Sequence, residues 1–402
     1  MRSASDSTAT RAAGAPAAAG ARSRGLRDPR RLVGLVLLLG LTVAILVFPM
    51  TTQVGYLLST GVVVLNYALM ATGWNFMGGF TGYISLGHAA YFGLGAYAVA
   101  ILIERTGMSP FLALFLSPLI VAAIAVPVGI AALRVRGASF VIVTIAFVLI
   151  LLLVFQSWAS FTGGSGGLMI PRAFPDLMRT QHHQVFYYFY VGALVLALVV
   201  WWLIDRSRFG MGLKAVREDE DKARALGVPT FQAKLIAFVV SALFTGLAGG
   251  LYALWFGDLD PVFQFSILMG AYMVLMALLG GVRELFGPLV GAIVVGLSIE
   301  FFKAEFGDTQ FHLVATGLLL ALVVLFMPEG VIPAVKGLFG RFGPQASSIR
   351  EVSAKELLDG SAGTADDGAP RSGGTDTAGG VADPTADTSA RPDVVDETRS
   401  AR

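Results

Sequence analysis

Phe186-Tyr-Tyr-Phe-Tyr-Val-Gly-Ala-Leu-Val-Leu-Ala-Leu-Val-Val-Trp-Trp-Leu-Ile204, followed directly by Asp205-Arg-Ser-Arg-Phe-Gly-Met-Gly-Leu-Lys-Ala-Val-Arg-Glu-Asp-Glu-Asp-Lys-Ala-Arg-Ala-Leu-Gly227, is the stretch whose reading decides the fold. The first part carries no charge and is about 20 residues long. That is the length a helix needs to cross a hydrocarbon core roughly 30 Å thick while satisfying its own N–H and C=O groups. The second part is dense in charge and has to lie in water. One apolar crossing followed by one polar insert implies a chain that treats the bilayer as its solvent.

The pattern extends outward in both directions. Of 402 residues, 55% are hydrophobic and only 14% charged, with a mean hydropathy of +0.72, against roughly 25% charged residues in soluble domains. Apolar segments fall at about 32 to 50, 55 to 74, 84 to 103, 111 to 133, 139 to 157, 186 to 204, 232 to 256, 266 to 280, 287 to 302 and 311 to 327. The expected fold is an all-α polytopic transmembrane helical bundle of about 8 to 10 spans, some broken or re-entrant. The eighth and ninth segments are short and separated by Gly280, Gly281, Gly287 and Pro288. They read either as the Gly/Pro-broken helices that line transporter cavities or as two tilted spans joined by a tight turn. Gly78 to Gly95 is glycine-heavy and reads as partly re-entrant; if both regions are re-entrant, eight spans remain.

Three regions are expected: a disordered basic extension over 1–31, a transmembrane domain over 32–335 containing the polar insert 205–234, and a disordered acidic tail over 343–402 rich in Ala, Gly, Ser, Thr and Asp. Leu32 to Met50 runs too long for a signal h-region, and no Ala-x-Ala site follows, so it reads as a retained first span. Arg22, Arg24, Arg27, Arg30 and Arg31 precede it, and positive flanks favour the cytoplasm. Counting crossings then puts Arg134, Arg136, the insert and both termini inside. The opposite loops, near Glu104, Asp176, Asp258 and Glu305, carry less positive charge, with Arg172 and Arg179 in the longest. Localisation in the inner or plasma membrane follows, with lipid as the surroundings.

Candidate chemistry is sparse. The absence of cysteine excludes disulfides, thiolate metal sites and cysteine nucleophiles. The four histidines, His88, His182, His183 and His312, show no ligand-like spacing within a span. Adjacent His182 and His183 read as structural or incidental more readily than as metal ligands. Gly93-Leu-Gly95-Ala-Tyr-Ala98 mimics a dinucleotide fingerprint but lies in an apolar span after no strand. Gly163-Gly-Ser-Gly-Gly167 lacks the lysine of a phosphate loop, and nothing fits G-x-x-x-x-G-K-[ST]. No catalytic residues, metal, cofactor or nucleic-acid partner is expected, and the chain reads as a non-enzyme. Within the spans, His88 is the one ionisable residue well inside an apolar segment, next to Ser85. Buried ionisable groups in lipid usually face a cavity or a partner. His88 therefore either lines a substrate pathway with Ser85 or holds a kink as a neutral, hydrogen-bonded ring. Asn66, Asn75 and Gln156 share that choice. Gly87, Gly93, Gly95, the pair Gly246 and Gly250, and the pair Gly287 and Gly291 supply small faces for close helix approach.

The insert is the sharpest feature. From Leu213 to Leu226 an amphipathic helix is expected, with Leu213, Val216 and Ala223 on one side, Leu226 flanking, and i,i+4 pairs Arg217–Asp221, Glu218–Lys222 and Glu220–Arg224 on the other. Gly227 and Pro229 stop it. An apolar ridge framed by charges suits docking on a soluble partner, with Arg208, Gly212, Arg217, Glu218, Asp219, Glu220, Ala223, Leu226 and Gly227 as the docking residues. The competing reading is a hairpin whose stripe lies on the membrane surface.

Several stretches, in order, resemble one family over about residues 32 to 335. They are Gly79-Phe-Thr-Gly-Tyr-Ile-Ser-Leu-Gly-His-Ala-Ala-Tyr-Phe-Gly-Leu-Gly-Ala-Tyr97, Leu133-Arg-Val-Arg-Gly137, Thr162-Gly-Gly-Ser-Gly-Gly-Leu168, Ala215-Val-Arg-Glu-Asp-Glu220 with Ala223 to Gly227, and Leu279-Gly-Gly-Val-Arg-Glu-Leu-Phe-Gly-Pro288. They are similar to the M-type (LivM) permease subunits of branched-chain amino-acid ABC importers. The resemblance implies a second, H-type permease subunit, two cytoplasmic ABC ATPase subunits gripping the insert, and an extracytoplasmic substrate-binding protein. It implies leucine, isoleucine and valine as substrates; related permeases move urea, short amides or other amino acids. An ion-coupled secondary transporter would instead call for mid-membrane carboxylates or paired charges, and Glu300 and Lys303 lie near a span end. An intramembrane enzyme would need a clustered acid, base or metal set that His88 alone cannot supply.

Overall fold

A computed structural model describes residues 47–52 and 54–307, with scattered positions between 311 and 333. The expected extension 1–31, most of the first and last apolar segments, and the tail 343–402 lie outside the described residues. Among the described residues eight long helices carry the fold: α1 Gly55–Thr81, α2 His88–Thr106, α3 Pro110–Ala132, α4 Ala138–Ser157, α6 Arg179–Arg206, α9 Thr230–Phe256, α11 Ile267–Gly280 and α12 Gly287–Phe306. Short helices α5 Ala159–Thr162, α7 Arg208–Glu218, α8 Glu220–Ala225 and α10 Pro261–Gln264 lie between them, with two-residue strands β1 Leu168–Met169 and β2 Asp258–Leu259. Among the described residues six helical segments are long and apolar enough to cross a membrane, α10 and α11 together counting as Pro261–Gly280. The chain is an all-α polytopic bundle.

Burial sorts the helices. In α1 and α9, 72% and 67% of the spanning window is buried, against 17% in α4 and 28% in α3 and α6. Lipid tails are as apolar as leucine, so close packing drives helix association in a bilayer, and small residues permit it. On α9 the glycines do this. A Cβ on Gly249 would sit 1.9 Å from the Phe92 carbonyl oxygen, and one on Gly95 of α2 would sit 2.0 Å from that of Gly246. Gly246 also lies against Val121, and Gly250 against Ser117, so α9 draws α2 and α3 onto itself.

The region between α1 and α2 is broken as its glycines foretold. The sequence placed the end of this span near residue 74, but the helix continues to Thr81, where Gly82 (φ 75°) takes the left-handed cap. Hydropathy fades over these last turns because tertiary contacts hold them. The Trp74 indole lies over Gly78, which has no room for a side chain, and donates to the Ser85 carbonyl at 2.7 Å. From Gly82 the chain runs without helix to Gly87, and α2 begins at His88, whose ring is tied through Ser241 to the Gly73 carbonyl. The first turn of α2 is buried in the bundle.

Both readings of segments eight and nine hold a part of what is found. α10 and α11 are interrupted at Phe265 and Ser266, and α11 has only 14 residues. Its far end joins α12 by a tight turn through Gly281 (φ 107°). Gly280, Gly287 and Gly291 leave no space for side chains between the two helices. At the opposite end of the bundle, Thr162-Gly-Gly-Ser-Gly-Gly-Leu168 forms a compact cover. Gly163, Gly164 and Gly167 all have positive φ, and β1 pairs antiparallel with β2, Leu168 opposite Leu259.

Candidate functional site

The polar insert is not the single helix expected. It is two, α7 and α8, broken at Asp219 (φ −162°, ψ 110°). The reason is local. Asp219 caps α8, its carboxylate accepting from the Asp221 and Lys222 N–H groups, and a capping side chain competes with helix continuation. Backbone bonding holds the Asp219 carboxyl below its ordinary range, with the nearby Lys222 adding to the effect. Ser207 caps α7 in the same way through the Gly210 N–H. Of the three expected i,i+4 pairs only Glu220–Arg224 forms, at 3.3 Å. Arg217 and Lys222 pair instead with Glu218 and Asp219.

The apolar stripe is also turned the other way. Leu213, Val216 and Ala223 are buried against the helix bundle. Of the residues named for docking, Arg208, Glu218, Leu226 and Gly227 are exposed, Gly212, Arg217 and Asp219 are half-buried, and Ala223 faces inward. Met211 and Lys222 join the exposed face.

Glu220 is the centre of the insert's attachment. Its side chain is 8% exposed and meets Lys234, 2% exposed, at 2.7 Å. Tyr83 donates to it at 2.6 Å, and Arg136 lies 3.2 Å away. Burial alone would push the Glu220 carboxyl up; hydrogen bonds from Lys234 and Tyr83 and the charges of Lys234 and Arg136 outweigh it, leaving the group below its ordinary value. The Lys234 ammonium sits over the Tyr83 ring, 4.6 Å from its centroid, and Arg136 reaches on to Asp221 at 3.1 Å. One turn earlier, Arg217 donates to the Gly79 carbonyl at 2.6 Å, closing an otherwise orphaned acceptor at the C-terminus of α1. The insert is therefore tied at once to the end of α1, to the returning loop at Tyr83, to the α3–α4 turn and to the first turn of α9. Partial burial makes Arg217 costlier to keep charged, and its guanidinium is held below its ordinary value by that burial and by Arg283 nearby.

Deeper in the bundle, His88 is fully buried. Ser241 donates to the Gly73 carbonyl at 2.6 Å, so it accepts from His88 Nε2 at 2.5 Å. Nδ1 then accepts from Ser85, 3.0 Å away. The ring is neutral, satisfied on both nitrogens, and clamps α1, α2 and α9 together. Ser85 borders an apolar cavity of about 300 Å³ beside Tyr91 and Phe147. Asn66 Oδ1 and both amide atoms of Asn75 are buried without a partner. They stand about 180° apart on α1, at 100° per residue, so they cannot line one face together. Gln156 is half-buried at the end of α4. His182 and His183 are both turned to Trp255, the first through its carbonyl, the second through its indole N–H.

Sequence reasoning missed Tyr83, Arg136 and Lys234. Their link to Glu220 spans up to 137 residues, and no local period encodes it. The only signal was a lysine placed just inside an apolar segment.

Residues 56–327 match the family described as branched-chain amino acid transport system / permease component. The chain is 28% identical to the high-affinity branched-chain amino acid transport system permease protein LivM of Salmonella typhimurium over 294 residues, 67% of this chain and 68% of that protein. The same figures hold for LivM of Escherichia coli. It is 27% identical to the LivH permease of Escherichia coli over 286 residues, 66% of this chain and 91% of LivH. No solved structure matches the chain.

Proposed function

The chain belongs to the family of branched-chain amino acid transport system permease components, a multi-pass membrane transport subunit and not an enzyme, and from that premise we propose that it carries leucine, isoleucine and valine into the cytoplasm, driven by a separate ATPase. The proposed assembly comprises a second, H-type permease, two cytoplasmic ATPase subunits and an extracytoplasmic binding protein, with both termini of this chain and the insert on the cytoplasmic side. The observation that carries the reading is the Glu220 attachment. A force-transmitting element needs one face free and the other rigidly joined to what it moves. Arg208, Met211, Glu218, Lys222 and Leu226 are exposed, and Glu220 and Arg217 join the insert to four parts of the bundle.

Displacement of the insert then acts directly on the end of α1 and the non-helical return before α2. That return is the segment able to absorb a change of backbone angle, and His88 limits how far α2 can part from α1 and α9. In this reading His88 is a positioning residue, and Ser85 and Asn75 border the moving parts. Asn66 lies on another face of α1, buried within the bundle.

The test is reconstitution of the chain with its partners in vesicles. ATP with the loaded binding protein should drive labelled leucine inward, and a sodium or proton gradient without ATP should not. Uptake by the chain alone on an ion gradient would overturn the proposal.

A further inference from the structure

At the end of the bundle away from the insert, a cleft of about 490 Å³ opens between the start of α1, the start of α6 and the end of α9. That volume lies within the range of roughly 300–1,000 Å³ typical of small-molecule sites. Three kinds of group meet in it. Arg172 and Arg179 line it, are exposed, and have no ion-pair partner among the described residues. His182 lines it while being only 7% exposed. Leu254, Trp255 and Phe256 supply an apolar wall.

The histidine tautomer can be assigned from its neighbours. His182 Nε2 faces the Trp255 carbonyl oxygen at 3.2 Å, an acceptor, so Nε2 carries the proton. Nδ1 is therefore a bare lone pair, buried and without a partner. A buried acceptor with no donor is costly, on the order of 1–3 kcal/mol, and invites an N–H from a ligand. The helix ends reinforce this polarity. The C-terminus of α9, closed at Gly257 (φ 81°), presents the negative end of its dipole to the cleft, and the N-terminus of α6 presents the positive end beside Arg179.

From this we propose that the cleft is an outer relay site for a zwitterionic α-amino acid with an apolar side chain. The carboxylate lies on Arg172 and Arg179 at the start of α6. The ammonium donates to His182 Nδ1, on the first turn of α6 where that ring meets Trp255 of α9. The side chain lies on Leu254, Trp255 and Phe256. The inference rests on the transport reading above and adds where the solute first touches this subunit. It requires both charges of the ligand at once, which sets it apart from a general anion or cation trap.

The chain has no cysteine, so Ser59→Cys, on the cleft wall, places one reactive thiol in it. In the reconstituted complex, the rate at which a thiol reagent modifies this chain is read with L-leucine, with leucinamide, which lacks the carboxylate, and with 4-methylpentanoate, which lacks the ammonium. Protection by leucine alone is expected. Arg172→Gln and Arg179→Gln should each raise the half-protecting leucine concentration about tenfold, the loss of one charge-assisted hydrogen bond. Equal protection by all three compounds, or none by leucine in a complex that still takes up leucine with ATP, would overturn the site and leave the transport reading intact. Protection by the binding protein without leucine would also overturn it, making the cleft a docking seat. A complex that takes up no leucine would count against the transport reading, while the protection assay still decides the cleft.

Discussion

The two ends of this bundle treat charge in opposite ways. At the insert end, Glu220, Lys234, Arg136, Asp221 and Arg224 form one connected network whose two most buried members touch at 2.7 Å. At the far end, Arg172 and Arg179 stand without ion-pair partners among the described residues, beside a histidine nitrogen with nothing to accept. A satisfied network resists displacement of its parts, because moving one member strands another in a poorly solvated place. Unsatisfied groups do the reverse and await a ligand. The first end is built to hold; the second is built to receive.

The largest effect should come from breaking the first end. Glu220→Ala strands Lys234 and should cost about 3–5 kcal/mol, the usual penalty for removing one partner of a buried pair. Thermal unfolding of the purified chain would register it. Arg172→Gln and Arg179→Gln, in contrast, should leave the melting temperature unchanged, and equal losses at both ends would erase the contrast. The same network sets an acid limit. Because the Glu220 carboxyl is held below its ordinary value in the fold, its contribution is complete above the unfolded glutamate value of about 4.3. It is lost as pH falls through the lower, folded value. A melting profile against pH should show that acid limb, and Glu220→Gln should lack it.

Next in size is the small-residue axis both ends share. Gly249→Val would drive a side chain into the Phe92 carbonyl and should cost about 1–3 kcal/mol through overpacking, measured in the same unfolding assay. Smallest in stability but large in assembly is the outward face of the insert. Met211→Ala with Leu226→Ala should change stability by less than about 0.5 kcal/mol, as exposed positions do, while reducing ATPase co-purification. Undiminished co-purification would move the docking face elsewhere.

The spans were legible because a bilayer demands about 20 apolar residues in a row, and that demand is written locally. Segments expected at 111 to 133 and 139 to 157 became Pro110–Ala132 and Ala138–Ser157 almost unchanged. The last turns of α1 were not legible, since Asn75 to Thr81 are held by Trp74, Ser85 and Arg217 and not by hydropathy. The insert was legible as polar and amphipathic, but its periodicity could not tell which side faces the bundle. Nor could pattern reveal that Asp219 would rather cap a new helix than continue the old one. His88 was recognised as an ionisable group needing a partner; that the partner would be Ser241, 153 residues away, is a property of the packing alone.

Exchanging the buried charges tests the account most directly. ATP-driven leucine uptake is compared for Glu220→Lys, Lys234→Glu and the double swap, with folding checked by thermal unfolding. Each single change should abolish uptake, and the swap should restore only the part carried by the 220–234 pair itself, because a lysine at 220 then faces Arg136 and Arg224. Single variants that fold and transport like the unaltered chain would show that the insert moves nothing through this contact.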